Sequence, residues 1–213
     1  MVGSVPSAVC SAAAAILTVP LPRRPLDPDD PADRLRGWYE NELGWPTVPG
    51  EPVRLSVGER FDVLDVPAEA GLPALRRLAP GSPVAVRGDR MRLLIAAGGS
   101  EEVPGILQWL EWGALPLDLT AIGAGEVIEA PLPPPGASQG RTPGPHRSGA
   151  VQGAAVWLRP PVAGFETEAS LPTMSALGGV GGAPDLVRLV DTLATQCHRV
   201  RLWRASAQPL AFS

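Results

Sequence analysis

The sequence predicts an α+β fold in which one mixed sheet is flanked by helices. Short apolar stretches predict strands from about residue 53 onward, and apolar residues at helical spacing fall between them. The connections between these segments are short, which is typical of strands and helices packed in one domain. A chain of 213 residues is long enough to bury a single core. The residues alone leave an α/β layering of the same elements open.

Residues 1–30 are predicted to form a flexible leader, because prolines and a cluster of aspartates interrupt any regular element. The first helix is expected to begin after Asp30, with Pro31 in its first turn and Gly44 as its C-terminal stop. Its apolar residues recur at helical spacing and are Leu35, Trp38, Tyr39 and Leu43.

The central part of the chain predicts alternating strands and helices. The strands are expected at residues 60–66, 83–86 and 91–96, and a helix at residues 70–79. A further helix is expected from Ser100, as its cap, to Gly113, with Trp109 and Trp112 on its apolar side. Residues 115–119 and 126–130 are expected to pair as strands around a glycine turn.

The remaining segments set the domain boundaries. Residues 131–149 predict a mobile loop within a domain that covers residues 31–161. Residues 162–213 are expected to form a Gly-rich linker, containing Gly178 to Gly182, and a C-terminal helix at residues 184–201 that packs on the domain. That helix carries its apolar residues on one side, namely Leu186, Leu189, Val190, Leu193, Cys197 and Val200.

Composition narrows the classes of function. All 18 basic residues are arginine, and the net charge of −4 with a pI near 5.2 argues against strong non-specific binding to nucleic acid. Cys10 and Cys197 have no partner at disulfide-framework or zinc-site spacing. The apolar run at residues 11–21 is too short to span a bilayer. We therefore expect a cytoplasmic protein that does not associate with membranes.

The stretch Phe61-Asp62-Val63-Leu64-Asp65-Val66-Pro67 contains half of a metal-binding motif. A nucleotidyl-transferring site needs two carboxylates on one face of a strand, two residues apart, to hold divalent cations against a triphosphate. Asp65 has Pro67 as its same-face neighbour, and Asp62 points to the opposite face, where we expect it to be exposed. This strand therefore indicates a nucleotide-processing fold that has lost its catalytic activity.

The order of short motifs resembles a known family. A helix followed by Gly44-Trp45-Pro46-Thr47-Val48-Pro49, a strand with Leu64-Asp65-Val66, and later Leu115-Pro116-Leu117-Asp118-Leu119 and Gly125-Glu126-Val127-Ile128 are similar to the Prim-Pol (bifunctional DNA primase/polymerase) domain of the archaeo-eukaryotic primase superfamily. The match covers residues 32–161 and is of a degenerate, actinobacterial type. The resemblance implies a primase-polymerase-like mixed sheet flanked by helices, to which the C-terminal helix is added.

The resemblance also implies a site. In the family, an Asp-x-Asp pair and a third Asp bind metal, and a His on an intervening strand contacts the phosphates of the nucleotide. Asp65 matches the first Asp and Asp118 the third, whereas Pro67 stands at the second Asp position. The strand that should carry the His contains Arg90 and Arg92 instead. Asp65 and Asp118 are then either weak remnant ligands for Mg or Mn, or acids that face solvent or pair with an arginine.

Two sets of basic residues are candidates for binding. Arg87, Arg90 and Arg92 are candidate ligands for phosphate or nucleic acid, with a solvated strand face as the alternative. The end of the last helix carries a candidate partner-binding set, which is Arg199, Arg201, Trp203 and Arg204; complementing the helix dipole explains its charge equally well.

Three functions compete. The favoured one is a catalytically degenerate primase/polymerase-like domain that acts as a regulatory or protein-interaction module and needs no cofactor. The second keeps residual nucleic-acid binding through the arginines at 87, 90 and 92. The third is an active Mg- or Mn-dependent primase/polymerase or nucleotidyltransferase that uses Asp65, Asp118 and a further group such as Glu129. A protein partner is expected, and homo-oligomerisation is left open.

Overall fold

The strands of the protein form two antiparallel sheets. The computed structural model describes residues 27, 29–133, 153–162, 166–174 and 184–206. The strands in these residues are β1 (Thr47–Val48), β2 (Arg54–Ser56), β3 (Phe61–Pro67), β4 (Val84–Arg87), β5 (Arg90–Ala96), β6 (Thr120–Ile122), β7 (Val127–Glu129) and β8 (Val156–Arg159). The larger sheet has the order β6-β3-β5-β4-β8, and the smaller has the order β1-β2-β7.

Helices accompany both sheets. Those in the described residues are α1 (Pro31–Gly37), α2 (Ala68–Ala74), α3 (Gly99–Trp109), α4 (Glu166–Ser170) and α5 (Leu186–Ser206). A π-helical turn, Trp38–Leu43, extends α1, and a 3₁₀ turn, Leu75–Arg77, follows α2. These sheets and helices confirm the predicted α+β class, but the prediction of one mixed sheet is wrong, because the strands form two sheets and every strand pair in them is antiparallel. Within the described part of the chain, no helix is long and apolar enough to cross a membrane.

The larger sheet separates two cores. Because successive side chains of a strand point to opposite faces, Met91, Leu93 and Ile95 of β5 lie in one core together with residues of α2, α3 and α5. On the opposite face Leu94 joins an aromatic core, and Arg90 and Arg92 share that face. The aromatic core also contains Trp38, Tyr39, Trp45, Phe61 and Trp157.

The structure confirms the predicted cap and C-terminal stop of the first helix and the buried apolar side of the last helix. The Asp30 carboxylate accepts a hydrogen bond from the Ala32 amide, and Gly44 ends the helical segment with φ of 68°. The six apolar residues predicted to line the last helix are all buried, and that helix, α5, packs against α2 and α3. It ends at Ser206, five residues beyond the predicted end at Arg201.

Two predictions about the middle of the chain are wrong. Residues 115–119 contain no strand, and the strand that follows them, β6, pairs with β3 in the larger sheet, whereas β7 pairs with β2 in the smaller one. A glycine turn between two extended segments therefore connects two sheets here and does not form a hairpin. The predicted helix also ends early, at Trp109, whose side chain is 75% exposed and does not belong to the core.

Several predictions fall on residues that the structure does not describe. These are nearly all of the leader at residues 1–30, most of the loop at residues 131–149 and the glycine run at residues 178–182.

Candidate functional site

Strand pairing places the predicted remnant carboxylate opposite an arginine. In the register of the larger sheet, Asp65 of β3 lies opposite Arg92 of β5, and Pro67 lies opposite Arg90. Directly opposite residues of an antiparallel pair point to the same face. Arg90 and Arg92 therefore point to the same face of the sheet as Asp65 and Pro67.

Both oxygens of the Asp65 carboxylate accept hydrogen bonds from these arginines. Its Oδ1 accepts a hydrogen bond from Arg90 Nε at 2.6 Å, and its Oδ2 accepts one from Arg92 Nε at 2.9 Å. Arg90 Nη2 also donates to the Asp65 backbone carbonyl at 3.1 Å. Only 11% of the Asp65 side chain is exposed, so both oxygens carry charge-assisted hydrogen bonds in a largely buried site.

Asp118, the second carboxylate predicted as a remnant ligand, binds the guanidinium group of Arg90. Arg90 Nη1 donates to Asp118 Oδ1 at 2.6 Å, and Arg204 Nη1 lies 4.0 Å from Asp118 Oδ2. Burial alone would lower the pKa of Arg90, but its hydrogen bonds to Asp118 and Asp65 outweigh that effect and raise it. Arg90 therefore remains a cation that lies between the two carboxylates predicted as metal ligands.

This arrangement opposes metal binding. A divalent cation needs free carboxylate lone pairs, and the guanidinium of Arg90 already takes one oxygen from each of Asp65 and Asp118. The further acid considered from the sequence, Glu129, pairs instead with Arg87 at 3.1 Å. Among the described residues, no group of three His, Cys, Asp or Glu side chains could hold a metal ion.

The three candidate phosphate ligands are all paired with acids. Arg87 binds Glu129, Arg90 binds both aspartates, and Arg92 binds Asp65. Arg92 Nη1 is buried and has no hydrogen-bond partner among the described residues. A phosphate would thus have to compete with a carboxylate at each of the three guanidinium groups.

Cys197 of α5 lies close to the Asp118 end of this cluster. Its thiol contacts the Asp118 carbonyl oxygen at 3.5 Å. The pKa of Cys197 is raised to about 12, chiefly by burial; the charge of Asp118 adds to the rise, and Arg90 opposes it. The neutral thiol therefore persists over the whole physiological range.

Asp62 has a role that the sequence analysis missed. We expected an exposed residue, but Asp62 is 1% exposed, because α3 covers its face of the sheet. Its Oδ2 accepts hydrogen bonds from the Ser100 amide at 2.9 Å and the Ser100 hydroxyl at 2.7 Å. Ser100 is not the cap; Gly98 holds that position without a side-chain bond, and Asp62 serves the first turn from a neighbouring strand.

The predicted partner-binding set lies at the end of α5. Trp203 is 74% exposed, and its neighbour Leu202 is also exposed. Arg199 is exposed, and Arg201 Nη1 donates to the Pro116 carbonyl oxygen at 3.4 Å. The set is therefore accessible, although Arg201 and Arg204 also hold α5 against the segment that carries Asp118.

No protein-family model, curated protein or solved structure matches this chain.

Proposed function

We propose that this chain is a primase/polymerase-like domain that has lost polymerase chemistry and acts in the cytoplasm as a regulatory, protein-interaction module. The single observation that supports the proposal best is Arg90, whose guanidinium contacts both Asp65 and Asp118. In-line nucleotidyl transfer uses bridging carboxylates to hold two metal ions. Here a permanent cation of the protein neutralises the carboxylates that would hold them.

A protein partner fits the charges better than nucleic acid does. Each of the arginines at 87, 90 and 92 already pairs with a carboxylate, and the chain carries a net charge of −4. Binding to nucleic acid gains most of its free energy from phosphate neutralisation by unpaired basic residues. The exposed Trp203, in contrast, is the kind of residue that contributes strongly to protein interfaces.

Primer extension tests the loss of chemistry. Purified full-length protein is incubated with a primed template, nucleotides and either Mg²⁺ or Mn²⁺, and we expect no incorporation. Incorporation by the wild type that Asp118→Ala abolishes would establish the active-enzyme alternative. Asp118 is half-exposed, so this variant should remain folded.

A salt titration tests residual nucleic-acid binding. We expect no binding of single- or double-stranded DNA or RNA at low salt. Binding that weakens with salt and is reduced by Arg87→Ala would show that the arginine face retains affinity for phosphates.

Crosslinking in the native cell tests for a protein partner. We expect a nuclease-resistant adduct that is lost in Trp203→Ala. Trp109→Ala is the matched control, because Trp109 is equally exposed but lies on α3. Adducts that are independent of Trp203, or none at all, would contradict the assignment of this surface.

A further inference from the structure

An open groove lies between α3 and the edge strand β6. Its volume is about 1000 Å³. Its apolar lining includes Val103 and Leu107 from α3 and Leu119 and Ala121 from the β6 side. The groove lies on the sheet face covered by α3, opposite the face that carries the Asp65 ion pairs.

The outer edge of β6, beside this groove, presents the backbone groups of Ala121, because Thr120 and Ile122 direct theirs toward β3. β6 pairs with β3 along one edge, and no described strand pairs with its other edge. An exposed strand edge next to a helix can accept an extended peptide as an added strand. Main-chain hydrogen bonds then supply affinity, and pockets for alternate side chains supply specificity.

Glu111 lines the groove and has an unfavourable conformation. It has a φ of 64°, and among the described residues it is the only one other than glycine with a positive φ. It occupies the position after α3 where glycine is preferred: its amide bonds the Gln108 carbonyl, and the Trp112 amide bonds the Leu107 carbonyl. A left-handed conformation is costly for a residue with a Cβ atom, and such strain clusters at functional positions.

The charge of Glu111 is unfavourable as well. A carboxylate near the C-terminus of a helix is repelled by the helix dipole. Glu111 is exposed and forms no ion pair with any described residue. The groove thus presents one uncompensated negative charge beside apolar walls, which suits a basic side chain and disfavours phosphate groups.

We propose that this groove binds an extended, apolar segment of a partner protein, which adds a strand to β6 and places an Arg or Lys side chain against Glu111. The inference rests on the proposed interaction function and specifies the partner's chemistry. Trp203 does not line this groove, so the two surfaces are tested by different variants.

A phage-displayed library of random heptapeptides, selected against the full-length protein, tests this. We expect enriched sequences that alternate apolar residues and contain Arg or Lys. Bound synthetic peptide should increase the amide hydrogen-exchange protection of Ala121, whose N–H points away from β3. Gln108→Trp, which fills the groove from an exposed position on α3, should abolish binding.

Charge-reversal variants test whether the charge of Glu111 itself contributes to peptide binding. Glu111→Arg should weaken peptide binding about fivefold or more, since an attractive pair becomes repulsive. Glu102→Arg is the matched control, because Glu102 is an exposed residue of α3 that does not line the groove. It should change affinity by less than about twofold, because exposed charges at a distance are screened.

The proposal is overturned if no peptide is enriched, if Gln108→Trp leaves binding intact, or if Glu111→Arg behaves like Glu102→Arg. A failed selection with a retained Trp203-dependent partner would remove only this groove. Nucleotide incorporation, in contrast, would remove the proposed function itself.

Discussion

Asp62 and Asp65 lie three residues apart on β3, and they are buried by different means. Asp62 faces α3 and accepts two hydrogen bonds from the neutral amide and hydroxyl of Ser100. Asp65 faces the opposite side of the sheet and accepts its hydrogen bonds from two guanidinium groups. A buried carboxylate in this fold therefore serves either as a helix cap or as the counter-ion of a cation. The ion pairs occupy both oxygens of Asp65, whereas the cap occupies only Oδ2 of Asp62, whose buried Oδ1 has no hydrogen-bond partner among the described residues.

The largest expected effect is the loss of Asp65. Asp65→Ala leaves Arg92 without a counter-ion in a mostly buried site and leaves Arg90 with Asp118 alone, and we expect the free energy of unfolding to fall by about 3–5 kcal/mol. Urea denaturation at neutral pH measures it. The double variant Asp65→Leu/Arg92→Met should recover part of the loss, because an apolar pair can replace a buried ion pair. A loss below about 1 kcal/mol would mean that the ion pairs are effectively solvated.

Removing Asp62 should cost less, because its partners are neutral. Asp62→Ala is expected to lower the free energy of unfolding by about 1–2 kcal/mol, the usual worth of a helix cap. Hydrogen exchange should show faster exchange of the Ser100 amide and the first turn of α3. Glu102→Ala, at an exposed site on the same turn, is the control, and equal effects from both variants would argue against the capping role.

Replacing Glu111, an exposed acid that forms no ion pair with any described residue, should stabilise the protein. Glu111→Gly is expected to raise the free energy of unfolding by about 0.5–1 kcal/mol, because glycine adopts the left-handed conformation without strain. Thermal unfolding measures the change. Glu102→Gly should instead destabilise the protein by about 1 kcal/mol, because that residue lies in a regular helix. Destabilisation by Glu111→Gly would show that the Glu111 side chain makes stabilising contacts.

Asp118 should contribute least to stability. Because it is half-exposed, Asp118→Ala is expected to cost about 0.5 kcal/mol or less. It should nevertheless lower the pKa of Cys197, since the Asp118 charge helps to hold that pKa near 12. Alkylation rates against pH, measured in a Cys10→Ser background, report this pKa.

The raised pKa of Cys197 also predicts how stability depends on pH. The folded state holds the thiol proton more tightly than the unfolded state, whose thiol has a pKa of about 9. This contribution is therefore complete below pH 9 and is lost as pH rises toward 12. Cys197→Ala should remove that part of the alkaline decline, and an unchanged decline would contradict the assignment.

Local patterns in the sequence predicted much of the fold. The strand β5 and the apolar side of α5 are set by patterns of neighbouring residues, and both predictions are confirmed. The partners of β6 and β7 could not be predicted, because each pairs with a strand distant in sequence. Asp62 was placed on the correct face, but its burial depends on α3, which packs over it from 38 residues away.

The site was only partly predictable for the same reason. The resemblance in the sequence predicts that Pro67 stands in place of a carboxylate and that Arg90 and Arg92 stand where a histidine is expected. It does not show that these arginines bind Asp65, because that contact depends on the register between β3 and β5. For Asp65, pairing with an arginine and exposure to solvent were both left open beside metal binding. Only the tertiary structure distinguishes between these possibilities.

Titration of Mn²⁺ into the protein, followed by electron paramagnetic resonance, tests most directly whether the guanidinium groups of Arg90 and Arg92 have taken the place of metal ions. We expect no saturable site in the wild type, and the same result for the folded control Asp118→Ala. A saturable Mn²⁺ site that the wild type has and Asp118→Ala lacks would contradict the account.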